Sequence, residues 1–173
     1  MSANGRKEAF GKYRLRVAWT AHRGAAASTG EAAEAFMKRL MPQDDFVIAD
    51  SNPDVILFMS GGSERRALEL AGAGSEAPGS AGAERMTMKE AGTGKPVLLL
   101  SIRGNNAYAA ATEVMAWMIN NGRKAILSDA EDAAESGLLG RWGKIVIGWE
   151  SLRGTRAGLI GTVSEWLVAS DVS

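Results

Sequence analysis

The sequence of 173 residues contains no cysteine and only one histidine, His22. The absence of cysteine excludes disulfides, thiol nucleophiles and cysteine-ligated zinc, and one histidine cannot form a transition-metal site by itself. A cysteine-free chain is consistent with the reducing cytoplasm, which we expect to be its location.

Neither sign of charge is in excess, since twenty basic residues balance twenty acidic ones. Nucleic-acid binding normally requires a basic excess, so we expect no nucleic-acid partner. The sequence has no apolar run of the ~18 residues that a membrane span requires, and we expect no membrane association. Residues 1–12 are polar and lack the apolar core of a signal peptide, so we predict a flexible N-terminus before one domain over residues 13–173.

Apolar patterns predict alternating strands and helices along most of this domain. The predicted strands are 13–20, 46–49, 54–60, 96–102, 124–128 and 156–162, and the predicted helices are 31–41, one that follows Ser63, 106–121 and 130–152. Residues 72–94 are rich in glycine, alanine and serine and are predicted to form a loop. This alternation predicts an α/β fold with an open, mainly parallel sheet, helices on both faces and flavodoxin/Rossmann-like strand order.

The ends of the predicted helices carry their own signals. Ser28 has the capping-box spacing to Glu31, Ser63 is predicted to cap the next helix, and Gly122 is placed to end the helix 106–121. A short helical turn is predicted after Ser164. Close packing against a neighbour would explain why four glycines interrupt the helical pattern 130–152: Gly137, Gly140, Gly143 and Gly148.

Four polar loops follow predicted strands, at residues 20–23, 60–64, 103–106 and 162–165. Ligands of open parallel sheets bind at the carboxyl ends of the strands, so we expect these loops to converge at one edge. In the loop 60–64, two glycines precede Ser63 and Glu64, and free backbone N–H groups there can bind an anion or a sugar hydroxyl. The same residues can instead form a tight strand-to-helix turn.

The loop Arg103-Gly104-Asn105-Asn106 offers two amides and a guanidinium, which can bind several hydroxyls or simply form a turn and a helix cap. His22 can carry a proton or contact a sugar, or it can be a solvated loop residue. Trp166 can stack on a sugar ring or seal a subunit contact. Trp117, Trp142 and Trp149 fit helical core or interface positions.

Four motifs, taken in order, resemble the N-terminal part of the L-fucose isomerase-like family of sugar isomerases. They are Gly61-Gly62-Ser63-Glu64, the run from Asn105 and Asn106 to Glu113, Gly154 with Arg156, and the run from Gly161 through Ser164 and Trp166 to Ser170. Ser63 replaces the family's threonine and Ala107 its usual serine. The resemblance extends from about residue 54 to the end.

The resemblance implies the N-terminal domain of an aldose–ketose isomerase whose divalent metal, typically manganese, is bound by later domains. On this expectation the chain is incomplete as a catalyst, assembles into a homo-oligomer and supplies side chains to the monosaccharide pocket of a neighbouring subunit. The candidate substrate-binding residues are Ser63, Glu64, Asn105, Asn106, Trp166 and His22. No catalytic or metal-binding residue is assigned. Two alternatives stay open: a stand-alone sugar- or anion-binding module, and a purely structural assembly domain.

Overall fold

The fold was determined from a computed structural model that describes residues 13–73, 94–153 and 155. The predicted N-terminal segment, most of the predicted loop 72–94, the predicted strand 156–162, the turn after Ser164 and Trp166 lie outside these residues. The strands are β1 Leu15–Thr20, β2 Phe46–Ile48, β3 Val55–Phe58, β4 Val97–Ser101 and β5 Ala125–Asp129. The helices are α1 Ser28–Leu40, α2 Glu64–Leu70, α3 Ala107–Asn120, α4 Ala130–Glu135 and α5 Leu138–Arg153.

The five strands form one parallel sheet in the order β2-β1-β3-β4-β5. This confirms the predicted α/β class, the parallel sheet and the flavodoxin-like order. In this order the chain moves outward from β1 in opposite directions, to β2 on one side and to β3 on the other. The crevice above the carboxyl ends of β1 and β3 is the switch point where ligands of this topology bind.

Two apolar clusters cover the two faces of the sheet, as side-chain alternation along a strand requires. Val17, Leu57 and Leu98 point to the face covered by α1, α4 and α5. Ile56 and Leu99 point to the face covered by α2 and α3. The central strands β3 and β4 are fully buried, which explains why their sequences are continuous apolar runs.

Asp54 connects several elements at the amino end of the sheet. Its buried carboxylate lies 2.6 Å from Lys95 Nζ and accepts hydrogen bonds from the Tyr13 hydroxyl, at 2.8 Å, and the Arg16 N–H, at 2.7 Å. The indole N–H of Trp142 on α5 donates to the Asp54 carbonyl oxygen at 2.8 Å. Burial, and secondly the hydrogen bond to Asp54, raise the pKa of Tyr13 above its usual range.

Helix α3 ends as its sequence predicts. Gly122 has φ +70°, Arg123 N–H donates to the Met118 carbonyl, and Gly122 N–H donates to the Ile119 carbonyl. This pair of bonds is a Schellman motif, so the predicted role of Gly122 is confirmed.

Neither of the two serines predicted to cap a helix makes a side-chain cap bond. Ser28 lies inside α1 and its capping position is taken by Ala27, with no side-chain cap. Ser63 does precede α2, but its hydroxyl donates to the Ser60 carbonyl at 2.8 Å and makes no cap bond.

Residues 130–153 form two helices, because the chain turns at Ser136 and Gly137, where Gly137 has φ +68°. A Cβ added at Gly140, Gly143 or Gly148 would meet no described residue within 4 Å, and the same is true at Gly137. The described residues therefore give no support to close packing at these glycines. No described helix has the length and hydropathy of a membrane span.

Candidate functional site

A cleft of about 820 Å³ opens at the carboxyl ends of β1, β3 and β4. The loops that follow these three strands form its walls, together with the first turns of α1 and α3. Its polar lining consists of His22, Ser28, Thr29, Ser60, Glu64, Asn105, Asn106 and Glu113. Its apolar lining includes Met59, Ile102 and several alanines.

Direct hydrogen bonds bring these loops together. Gly61 N–H donates to the Asn105 carbonyl oxygen at 2.7 Å, and His22 N–H donates to Ser60 Oγ at 2.8 Å. The predicted convergence is thus confirmed for the three described loops, while the fourth, 162–165, lies outside the described residues. Gly61 is required for this approach, because a Cβ there would lie 3.0 Å from Cβ of Asn106.

The loop before α3 has an unusual backbone. Gly104, Asn105 and Asn106 have φ values of +97°, +52° and +55°, so three consecutive residues are left-handed. Asparagine tolerates this region better than most residues, which accounts for the Asn-Asn pair. Each asparagine in such a conformation still costs energy, and this kind of strain concentrates at functional sites.

This conformation leaves both asparagine amides available. Asn106 occupies the capping position of α3, but its side chain makes no cap hydrogen bond. Neither amide group bonds to any other described residue, so each offers one carbonyl acceptor and an NH₂ donor to the cleft. The first N–H groups of α3 likewise lack a side-chain cap, and helix N-termini leave such donors for water or a ligand.

His22 and Ser60 form a pair on the opposite wall. Ser60 Oγ accepts the His22 backbone N–H and lies 3.1 Å from Nδ1 of the imidazole. When the hydroxyl proton is donated to Nδ1, the ring keeps its own proton on Nε2. The imidazole then presents an N–H donor.

Two carboxylates, Glu64 and Glu113, line the cleft. Glu64 Oε1 accepts the Gly62 N–H at 3.1 Å, whereas Glu113 has no partner among the described residues. Glu113 was not among the residues expected at the site. Its spacing could have identified it, because it follows Asn106 by seven residues, two helical turns along one face of α3.

The lining contains no lysine or arginine among the described residues. Arg103, expected to donate to hydroxyls, is instead held by three carboxylates, those of Asp129, Glu131 and Asp132. Its closest contact is 2.7 Å, to Asp132 Oδ1, and the hydrogen bond to Asp129 is the main cause that raises the pKa of its guanidinium. Arg103 is not part of the described cleft lining, so the structure gives no support to its guanidinium as a cleft donor.

Four of the six expected site residues thus line the cleft. His22, Glu64, Asn105 and Asn106 line the cleft, Ser63 is buried beneath it, and Trp166 lies outside the described residues. The described part of the chain contains no group of three or more histidine, aspartate or glutamate side chains that fits a metal ion.

Comparisons with protein-family models, with curated proteins and with solved structures found no match. The resemblance to the L-fucose isomerase-like family stays a prediction that rests on the sequence motifs.

Proposed function

We propose that this chain binds a monosaccharide in the cleft, as the N-terminal α/β domain of an aldose–ketose isomerase. The observation that carries the proposal is the set of polar groups on the cleft walls: two amides and one carboxylate that have no partner among the described residues, and the His22–Ser60 pair. Amides and carboxylates are suited to vicinal hydroxyls, which both donate and accept hydrogen bonds.

The charge of the cleft favours a neutral ligand over an anion. Glu64 and Glu113 contribute negative charge, and no described lysine or arginine in the lining opposes it. An anion would therefore meet like charges in a partly closed space, which is unfavourable. A sugar has no charge to repel, and its C–H faces fit the apolar lining around Met59 and Ile102. This observation supports the sugar-binding reading over the anion-binding one.

In this proposal the residues of the chain bind and orient the sugar. Asn105, Asn106 and Glu113 would engage hydroxyls from one wall, and His22 from the other. The metal that polarises the substrate oxygens in the family would be held by residues other than the described ones. We therefore expect this chain alone, supplied with manganese, to show no isomerase activity.

Binding can be tested by titrating the ¹⁵N-labelled chain with free aldoses and ketoses. We expect saturable shifts in the amide resonances of Gly61, Asn105 and Asn106 with at least one sugar. The informative variant is Asn106→Gly, because glycine keeps the left-handed backbone and removes only the amide. It should weaken binding about tenfold, the equivalent of one or two hydrogen bonds, without lowering stability.

Asn52→Gly is the matched control. Asn52 is also left-handed, with φ +48°, but lies before β3, at the amino end of the sheet. Its replacement should leave sugar affinity unchanged. Equal losses from both variants, or no saturable binding of any sugar, would remove the proposal. Isomerase activity of this chain alone with manganese would remove only the claim that the catalyst is incomplete.

A further inference from the structure

Another concave surface lies beside the cleft. Its charged side chains are mainly arginines, whereas those of the cleft are glutamates. It encloses about 550 Å³ and is lined by Ala21, Arg23, Gly62, Arg65, Arg66 and Glu69. The three arginines come from two places in the chain, the loop after β1 and the first turn of α2. We propose that Arg23, Arg65 and Arg66 form a binding site for a phosphate group.

The charges of this pocket are only partly balanced. Glu69 lies 3.9 Å from Arg65 Nε and 3.4 Å from Arg66 Nη1, so one carboxylate serves two guanidinium groups. Arg23 has no ion pair or hydrogen bond within the described part of the chain. Three positive charges thus meet one negative charge, in a chain whose formal net charge is zero.

The two arginines of α2, Arg65 and Arg66, contribute little to the stability of the helix. Arg65 and Arg66 stand in the first turn of α2, where the helix dipole disfavours positive charge. Their contacts with Glu69 are exposed, with more than half of each arginine side chain in solvent, and such pairs contribute little to stability. A bound anion would relieve the mutual repulsion of the three guanidinium groups.

Guanidinium chemistry points to phosphate as the anion. The planar fork of arginine matches two phosphate oxygens at once, and a cluster of such forks recognises a group with several equivalent oxygens. The phosphate can be free inorganic phosphate or a substituent of a larger molecule. Ala21 and Gly62 line both this pocket and the sugar cleft, so a phosphorylated sugar can reach both.

The test is a titration of the ¹⁵N-labelled full chain with inorganic phosphate, with ionic strength held constant by sodium chloride. We expect saturable shifts at the amides of Arg23, Gly62 and Arg65. Arg23→Gln should raise the dissociation constant about tenfold, as expected for the loss of one charge-assisted contact. Arg141→Gln is the matched control, because Arg141 is an exposed arginine on α5, outside the pocket.

Shifts that never saturate, or an equal loss of affinity in Arg23→Gln and Arg141→Gln, would overturn the proposal. Thermal unfolding of each variant verifies that the fold is kept. If Arg23→Gln does not fold, Arg66→Gln serves the same comparison.

Two further titrations identify the source of the phosphate. A free hexose and its 6-phosphate are compared with inorganic phosphate. Tighter binding of the hexose phosphate, with shifts at both Arg23 and Asn106, assigns the pocket to a substituent of the cleft ligand. Equal affinity for hexose phosphate and inorganic phosphate assigns it to free phosphate. Failure of phosphate binding would leave the sugar shifts at Asn106 intact, so the two proposals fail separately.

Discussion

At the scale of single residues, Gly61 is the position where the cleft tolerates least change. A Cβ there would lie 3.0 Å from Cβ of Asn106 and 3.3 Å from its carbonyl oxygen. The second neighbour is backbone, so the contact cannot be relieved by a side-chain rotation. The loop with three left-handed residues would have to move instead.

Gly61→Ala should therefore lower the free energy of unfolding by about 1–2 kcal/mol through overpacking, and it should also weaken sugar binding. Urea denaturation and the sugar titration measure the two effects. Gly143→Ala is the control, because its added methyl group meets none of the described atoms within 4 Å and a helical alanine is favoured over glycine. It should raise stability by up to about 1 kcal/mol. If Gly61→Ala left the free energy of unfolding unchanged, the loop with Asn105 and Asn106 would be able to move without an energetic cost.

The sequence identified the chemical character of the cleft better than the position of each side chain. The asparagines, Glu64 and His22 were found because polar residues that follow parallel strands converge at one edge of the sheet. Ser63 and Arg103 do not line the cleft. The Ser63 hydroxyl donates to the carbonyl oxygen of Ser60, three residues earlier, and the Arg103 guanidinium donates to Asp129 and Asp132, 26 and 29 residues later.

At the scale of elements, α4 depends on one residue at its start. Asp129 Oδ1 accepts hydrogen bonds from the N–H groups of Glu131, at 2.9 Å, and Asp132, at 3.1 Å. Asp129 Oδ2 accepts a bond from Arg103 at 3.2 Å, so the same side chain also ties the loop before α3 to α4. The cap and the ion pair are separable, because asparagine can replace aspartate as a cap.

Asp129→Ala should cost about 1–2 kcal/mol of unfolding free energy, the usual loss of an N-cap. Asp129→Asn should cost less than about 1 kcal/mol, because it keeps the cap and removes only the charge of an exposed ion pair. Chemical denaturation of both variants distinguishes the two roles. If both lose the same amount, the ion pair with Arg103, and not the cap, is the stabilising contact.

The sequence predicted the end of α3 but did not locate the break before α5, and the difference has a physical reason. The end of α3 depends on local backbone bonds around Gly122, which the sequence alone signals. The break before α5 was harder to locate, because four glycines offered equivalent positions. In the structure Gly137 provides the turn. The helix α5 that follows it lies where the indole N–H of Trp142 donates to the Asp54 carbonyl oxygen.

At the scale of the whole molecule, the buried contacts of Asp54 and the proposed binding cleft lie at opposite ends of the sheet. Asp54 joins Tyr13, Arg16 and Lys95 at the amino end, and the cleft lies at the carboxyl end. Within the described residues no hydrogen bond links Asp54 to a cleft residue. We expect changes at one end to leave the other unaffected.

Asp54→Asn should lower the free energy of unfolding by about 3–5 kcal/mol, because it leaves the buried Lys95 ammonium group without its carboxylate. Tyr13→Phe, a milder change, should cost about 1 kcal/mol. Sugar affinity of the folded fraction should stay at the wild-type value in both, measured by the amide titration. A parallel loss of affinity in Tyr13→Phe would mean that the two ends are coupled through β1 and β3.

The sequence by itself determined the α/β class, the parallel sheet and the edge where the polar loops meet. Hydrophobic periodicity is a local pattern that identifies the strands and helices. General rules of α/β topology then place the carboxyl ends of the parallel strands at one edge of the sheet. Homo-oligomer formation and isomerase activity stay predictions of the motifs. Only the tertiary structure decided which polar groups remain free. It paired Ser63 and Arg103 with other atoms, left Asn105, Asn106 and Glu113 without a side-chain partner among the described residues, and placed an acidic cleft beside a basic pocket. Such partners are chosen by proximity in space, which no local sequence pattern records.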